Sequence, residues 1–121
     1  MYVTLLPHTT INLARSICCG MPLINRAKKA NGARVVVVDP KRIKLAEQAD
    51  THLALRPGTD VVLAFAVACE IERAGGLDQD FIARHVHGFE SFMAEARTYP
   101  PERAAEVCGV PADAIRAFVA L

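Results

Sequence analysis

The sequence has no excess of charge of either sign. Its 121 residues include 14 Lys and Arg against 13 Asp and Glu, which leaves a formal net charge of +1. A protein that binds the sugar–phosphate backbone of a nucleic acid needs a positive field to attract the phosphates. The balanced composition therefore argues against nucleic acid as a partner.

The chain also lacks a cysteine motif for a metal. Its four cysteines, at positions 18, 19, 69 and 108, form no C-x-x-C pair and match neither a zinc site, an iron–sulfur site nor a disulfide framework. No nucleophile-elbow pattern is present either. We predict from this that the chain supplies neither metal ligands nor catalytic residues.

Long apolar runs are missing as well. The longest, over residues 61–69, is about half of the ~20 residues that a membrane-spanning helix requires. It predicts a buried helix, so we expect no membrane insertion by this segment. No export signal is visible at the N-terminus, and the sequence does not indicate a compartment.

The glycine patterns of the common nucleotide-binding folds are absent too. There is no G-x-G-x-x-G and no Walker-type loop, so an ordinary dinucleotide or phosphate-loop site lacks its main support.

Three short apolar segments predict strands, at residues 2–6, 35–38 and 52–55. The second consists of four valines without alternation, which is typical of an interior strand in a parallel sheet. Residues 8–20 read as a loop, and Pro22 opens an amphipathic helix that Asn31-Gly32 closes. This order is that of a βαβ unit. We therefore predict an α/β fold with a small Rossmann-like parallel sheet and flanking helices.

The remainder of the chain is predicted to be helical. A short helix at 44–49 and a long one at 60–73, capped by Thr59 or Asp60 and ended by Gly75-Gly76, precede helices at 78–86, 89–97, 101–107 and 111–121. We expect one segment, with an α/β nucleotide-binding part over 1–76 and a helical part over 77–121.

Two places are suited to hold a nucleotide. Asp39 follows the valine strand, where its carboxylate could accept hydrogen bonds from a ribose or a guanine edge; the alternative is that Asp39-Pro40 only starts a turn. Gly58, Thr59 and Asp60 stand at a helix N-terminus, where N–H groups favour phosphate or polar nucleotide edges; the alternative is a simple helix cap. Both aspartates follow predicted parallel strands, which predicts that they face one cleft.

From Pro22 to Leu121 the chain resembles the molybdopterin oxidoreductases of the dimethyl sulfoxide reductase type, which include formate dehydrogenases and nitrate reductases. The residues that carry the resemblance to the central cofactor-binding stretch are Ala27-Lys28-Lys29, G-A-R-V-V-V-V-D-P over 32–40, Ala46, Ala49-Asp50 and R-P-G-T-D over 56–60. The tail agrees, with Asp80-Phe81-Ile82, Gly88-Phe89 and Y-P-P-E over 99–102.

The resemblance implies a cofactor and a set of contacts. In the family, molybdenum or tungsten is held by two pterin guanine dinucleotides, and this segment would bind the nucleotide part of one of them. The residues implied along the guanosine are Asp39, Pro40, Lys41, Arg42 and Ile43, and those implied at its base are Gly58, Thr59 and Asp60.

Upstream the pattern departs from the family. A Gly-x-Asn-Pro turn aligns its asparagine with Asn12, but Thr10 replaces the glycine and Leu13 the proline. The usual arginine after Asp-Pro is replaced by Lys41, with Arg42 next to it. The phosphate-side contact by Asn12 is therefore the weakest of the implied contacts.

The resemblance also implies what else the enzyme needs. Relatives carry an iron–sulfur domain, a metal ligand and a C-terminal domain for which this chain has no room. The expectation is a fragment or separated subunit that is inactive alone, whose partners are the remaining domains of the same oxidoreductase and electron-transfer subunits. Two alternatives are a stand-alone Rossmann-like module that binds another nucleotide without redox chemistry, and a truncated product without a ligand.

Overall fold

The computed structural model describes residues 2–6, 9–12 and 20–121. Its elements are β1 (Tyr2–Leu6), β2 (Thr9–Asn12), α1 (Gly20–Asn31), β3 (Arg34–Val38), α2 (Lys44–Glu47), β4 (Thr51–Leu53), α3 (Asp60–Arg73), α4 (Gln79–His85), α5 (Phe89–Ala96), α6 (Pro101–Cys108) and α7 (Ala112–Val119). The predicted α/β class with a helical C-terminal portion is confirmed.

The chain divides into two compact units, 1–54 and 55–121. The first contains the sheet with α1 and α2, and the second contains α3 to α7. This division rests on compactness, whereas the predicted parts 1–76 and 77–121 rest on element type, so α3 belongs to the helical unit.

A four-stranded sheet in the order β2-β1-β3-β4 organises the first unit. β3 and β4 are parallel, and they pair Val36 with Thr51 and Val38 with Leu53. β1 is antiparallel to both of its neighbours, β2 and β3. The interpretation of strand 2–6, helix and strand 35–38 as a parallel βαβ unit was therefore wrong, because β1 runs against β3.

The loop predicted over residues 8–20 was also partly wrong. Thr9–Asn12 forms β2, which pairs with β1 in the register Tyr2 with Asn12. The segment has no clear period of its own, and it becomes a strand because β1 offers it backbone partners. Residues 8 and 13–19, which include Ser16, Cys18 and Cys19, lie outside the described residues.

The valine strand is interior, as predicted. β3 lies between β1 and β4, and Val35, Val36 and Val37 are buried with at most 1% exposure. Val35 and Val37 share a core with Ile24 of α1 and Leu45 of α2. Because Val36 on the opposite face is buried too, both faces of this strand are covered.

Helix α3 is the centre of the second unit, where it contacts α5, α6 and α7. The predicted bounds of this helix are confirmed, and Gly75 after it adopts a positive φ of 72°. The buried residues of these helices are Leu63, Ala66, Glu70, Met93, Ala96, Pro101, Ala104, Cys108 and Ile115. Glu70 is the one buried charge among them, and Arg73 binds it through two hydrogen bonds of 2.9 and 2.5 Å.

Within the described part of the chain, no helix is long and apolar enough to cross a membrane. Helix α4 differs from its neighbours because none of its residues is buried, and Phe81 on it is 54% exposed.

Candidate functional site

The candidate contacts fall in two short segments. The first, which we call the β3–α2 loop, comprises residues 39–43, and the second, the α3 entry turn, comprises residues 56–60. They belong to different compact units, so each is described by itself.

The β3–α2 loop begins with an aspartate turn. One carboxylate oxygen of Asp39, Oδ1, accepts a hydrogen bond from the Lys41 N–H at 2.8 Å. This is the local bond by which an aspartate closes a turn on its own backbone. Asp39 and Pro40 therefore do start a turn, as the alternative interpretation held, but the turn uses only one of the two carboxylate oxygens of Asp39.

Strand β4 holds the backbone of this loop. The Asp39 N–H donates to the Leu53 carbonyl oxygen at 3.3 Å, and Nε2 of His52 lies 2.9 Å from the Asp39 carbonyl oxygen. Residue 39 is thus tied to the parallel neighbour through both of its backbone polar groups. His52 could not be assigned this role from the sequence, because no local pattern relates a strand histidine to a carbonyl 13 residues away.

The rest of the loop is mostly exposed. Pro40, Lys41 and Arg42 are exposed, whereas Ile43 is half-buried and packs against the core of the first unit. Ile43 also precedes α2 as its N-cap residue. The two basic side chains form no salt bridge with the residues that the structure describes, so both charges are available to an anion.

Asp50 fixes the start of the parallel strand pair. Its Oδ2 accepts a hydrogen bond from the Val35 N–H at 2.7 Å, and its own N–H donates to the Val35 carbonyl oxygen at 2.9 Å. The Val35 hydrogen bond, followed by Lys28 at 3.0 Å, lowers the pKa of Asp50 below its ordinary value. Asp50 therefore ties the start of β4 to β3, the strand that ends at the β3–α2 loop.

The α3 entry turn has the geometry of a type II turn. The Thr59 N–H donates to the Arg56 carbonyl oxygen at 3.2 Å, with Pro57 and Gly58 between them and a φ of 80° at Gly58. Proline in the second position and a positive φ in the third are the requirements of this turn. A Cβ at Gly58 would meet no atom within 4 Å, so the backbone conformation, not crowding, requires the glycine.

Thr59 occupies the N-cap position of α3 without capping it. Its hydroxyl donates to the Arg56 carbonyl oxygen at 2.7 Å, and no side chain accepts a hydrogen bond at this helix end. The prediction that Thr59 or Asp60 caps the helix was wrong, because the Thr59 hydroxyl points back to the Arg56 carbonyl oxygen and neither side chain accepts a hydrogen bond from an N–H of α3 among the described residues. The first N–H groups of α3 are left without an acceptor from a capping side chain.

Asp60 is the first residue of α3 and is exposed. Among the residues that the structure describes, its carboxylate accepts no hydrogen bond and forms no salt bridge. A carboxylate in the first turn of a helix is favoured by the helix dipole. Asp60 therefore presents two free acceptor oxygens beside a set of unpaired N–H donors.

Asn12 is the last residue of β2. The strand pairing places its backbone opposite Tyr2, and its proposed role as a cofactor contact stays a prediction. The shared cleft predicted for Asp39 and Asp60 also stays a prediction.

No group of three or more His, Cys, Asp or Glu side chains suited to hold a metal ion occurs within residues 2–6, 9–12 and 20–121. His85 is the last residue of α4, and its ring lies 4.9 Å from that of Phe81.

Comparison with known proteins relates the chain to a segment of much longer enzymes. No family model matches it. It is 34% identical over 96 residues to a nitrate reductase of Synechocystis and 36% identical over 88 residues to formate dehydrogenase H of Escherichia coli. These alignments cover 76% and 73% of this chain but only 13% and 12% of the relatives.

Among solved structures, the acetylene hydratase from Pelobacter acetylenicus superimposes with a TM-score of 0.75 at 33% identity, over 83% of this chain and 14% of that one. These relatives are molybdopterin oxidoreductases of the dimethyl sulfoxide reductase type. The chain is therefore homologous to a segment of that family, and the resemblance seen in its sequence is confirmed.

Proposed function

We propose that this chain is part of a molybdenum or tungsten bis-molybdopterin guanine dinucleotide oxidoreductase and that it binds the guanine nucleotide portion of that cofactor. The homologues support the enzyme class, since they are molybdopterin oxidoreductases matched over a small part of their length. The other domains of such an enzyme, with any iron–sulfur cluster and electron-transfer subunits, are its proposed partners.

The uncapped N-terminus of α3 carries this proposal. Thr59 donates its hydroxyl to Arg56 instead of capping the helix, and Asp60 is exposed without a partner in the described residues. A guanine base has two donors on one edge, N1–H and N2–H, which match the two oxygens of a carboxylate. Its O6 acceptor matches a free backbone N–H. The donors and acceptors of the α3 entry turn are therefore complementary to guanine.

Adenine fits this arrangement less well. Its corresponding edge has an acceptor at N1, which would meet the carboxylate oxygen without a proton between them. The α3 entry turn should therefore discriminate guanine from adenine, which separates the proposal from a module that binds NAD or ATP.

The test is nucleotide binding by the 121-residue chain, measured by NMR titration with GMP, IMP, AMP and NAD. We expect GMP to bind more tightly than the other three, because inosine lacks the N2 donor and adenine lacks both. Tighter binding of NAD or AMP would favour the stand-alone module, and no binding of any nucleotide would contradict the proposal for the chain.

The variant Asp60→Asn tests the base contact directly. An amide offers one acceptor and one donor, so it repels one of the two guanine donors. We expect a loss of about 1.5–3 kcal/mol, or roughly tenfold to a hundredfold in GMP affinity, and loss of the preference over IMP. The matched control is Asp113→Asn, since Asp113 is also exposed in the first turn of a helix of the same unit. An unchanged preference for GMP in Asp60→Asn would exclude this contact.

The β3–α2 loop is tested by Asp39→Asn. The asparagine carbonyl oxygen can still accept from the Lys41 N–H, so the turn is retained while the charge is removed. If Asp39 binds the ribose hydroxyls, GMP affinity should fall about tenfold without a change in the melting temperature. Asp78→Asn is the control, because Asp78 also accepts one backbone hydrogen bond, from the Phe81 N–H at 2.8 Å.

A further inference from the structure

Arg56 connects two helix ends in the second unit. Its backbone N–H donates to the Cys108 carbonyl oxygen at 2.7 Å, and its guanidinium Nη1 donates to the carbonyl oxygens of Glu106 and Val107 at 2.6 and 3.0 Å. One residue thus binds three successive carbonyl groups at the C-terminus of α6. These are groups that have no partner within their own helix.

The contact suits the chemistry of both sides. The C-terminus of a helix carries partial negative charge, and a cation that donates hydrogen bonds to its last carbonyl groups is favoured there. Gly109, which follows α6 with a φ of 78°, turns the chain away and lies beneath the arginine, since a Cβ on it would stand 3.4 Å from Nε of Arg56. A larger residue at position 109 would therefore crowd the arginine side chain.

The carbonyl group of Arg56 accepts hydrogen bonds from the α3 entry turn. It accepts hydrogen bonds from both the N–H and the hydroxyl of Thr59. The same residue thus binds α6 with its donors and the α3 entry turn with its acceptor. Displacement of Arg56 would release Thr59, whose hydroxyl could then turn to cap α3.

We propose that Arg56 is a positioning residue, which holds the α3 entry turn in the conformation that leaves the first N–H groups of α3 and the carboxylate of Asp60 free for a ligand. This inference rests on the proposed function for the identity of the ligand. Its structural part, the hold on the turn, concerns the chain without any nucleotide and is measured separately.

The experiment compares Arg56→Met and Arg56→Lys in the full 121-residue chain by amide hydrogen exchange. Methionine replaces the unbranched stem of the arginine and removes its donors, whereas lysine keeps one donor group and the charge. In Arg56→Met we expect the protection of the amides of residues 56 and 59 to fall tenfold or more, with less than a threefold change at Ala66 inside α3. In Arg56→Lys, the protection of these two amides should lie between that of the parent and that of Arg56→Met.

The matched control is Arg84→Met. Arg84 is an exposed arginine that also donates to a backbone carbonyl, that of Asp80 at 3.0 Å. Arg84→Met should leave the protection of the amides of residues 56 and 59 unchanged.

GMP titration of the same variants provides the second readout. We expect Arg56→Met to lose at least tenfold in GMP affinity, Arg56→Lys to recover part of it and Arg84→Met to remain within twofold of the parent. Unchanged protection at residues 56 and 59 would overturn the proposal, and so would an equal loss of protection throughout the unit, which would make Arg56 a general stabiliser. A loosened turn with unchanged GMP affinity would equally overturn it.

A parent chain that binds no GMP gives a different result. It would contradict the proposed function and the ligand assigned to Arg56, whatever the variants do. The exchange data would still decide whether Arg56 holds the turn.

Discussion

Val37 offers the sharpest test of the fold that supports the β3–α2 loop. Its side chain is fully buried in the interior strand β3. Replacement by aspartate places a carboxyl group in this core. If the carboxyl stays neutral at pH 7, its pKa must rise by about three units, which costs ~4 kcal/mol. Loss of the buried valine surface adds about 1.5–3 kcal/mol.

The sum, about 6 kcal/mol, is as large as the stability to be expected of the unit. At roughly 0.05–0.15 kcal/mol per residue, a unit over residues 1–54 is stable by about 3–8 kcal/mol. We therefore expect Val37→Asp to unfold the first unit at pH 7. Val37→Thr, which is similar in shape but buries a hydroxyl, should cost about 1–3 kcal/mol and stay folded.

The assay is urea unfolding followed by circular dichroism, with NMR signals of residues 35–38 to report on the sheet. Val61→Asp is the control, because it makes the same change at a valine that is 56% exposed. The penalty should shrink as the pH falls towards 4, because the aspartate is then protonated in the unfolded chain as well. A cooperative transition of Val37→Asp at the parental urea concentration would refute the reasoning, as would an equal loss in Val61→Asp.

Three further predictions follow from other parts of the molecule. Because the pKa of Asp50 is lowered on folding, its contribution to stability is complete above its ordinary pKa of 3.8 and is lost as the pH falls through the lower pKa of the folded state. Asp50→Asn should therefore reduce the fall in melting temperature between pH 5 and pH 2. We expect an effect of about 0.5–1.5 kcal/mol, given the exposure of the carboxylate. Glu70→Ala should lower the melting temperature by several degrees because it leaves a void in the helical core and frees Arg73, whereas Glu106→Ala at an exposed position should not. The purified chain should contain no stoichiometric metal and show no oxidoreductase activity with formate or nitrate; elemental analysis that finds about one molybdenum, tungsten or iron atom per chain would contradict this.

The helices could be predicted closely because their signals are local. Gly75 after α3, Asp78 before α4 and Gly109 after α6 each act within a few residues of the helix end they define. The apolar valine run likewise predicted a buried strand, because a segment without polar alternation has no face for solvent. These features depend on hydrogen bonds and burial within one element.

The direction of β1 and the existence of β2 could not be predicted in this way. An apolar strand reads the same whether its neighbour is parallel or antiparallel, and β2 has no period that would identify it. Both depend on which backbone groups meet in the sheet, and that is set by the path of the whole chain.

The candidate site also has features that the local sequence predicts and features that only the folded chain decides. The sequence by itself determined which residues are available, with Asp39 after a strand and Gly58, Thr59 and Asp60 before a helix. Only the tertiary structure decided that Thr59 turns away from the helix it precedes and that Arg56 reaches the end of α6, 50 residues along the chain. Thr59 has a choice of conformations within three residues, and Arg56 bonds to carbonyl groups 50 residues away; in both cases the partner is set by which groups the folded chain brings within reach.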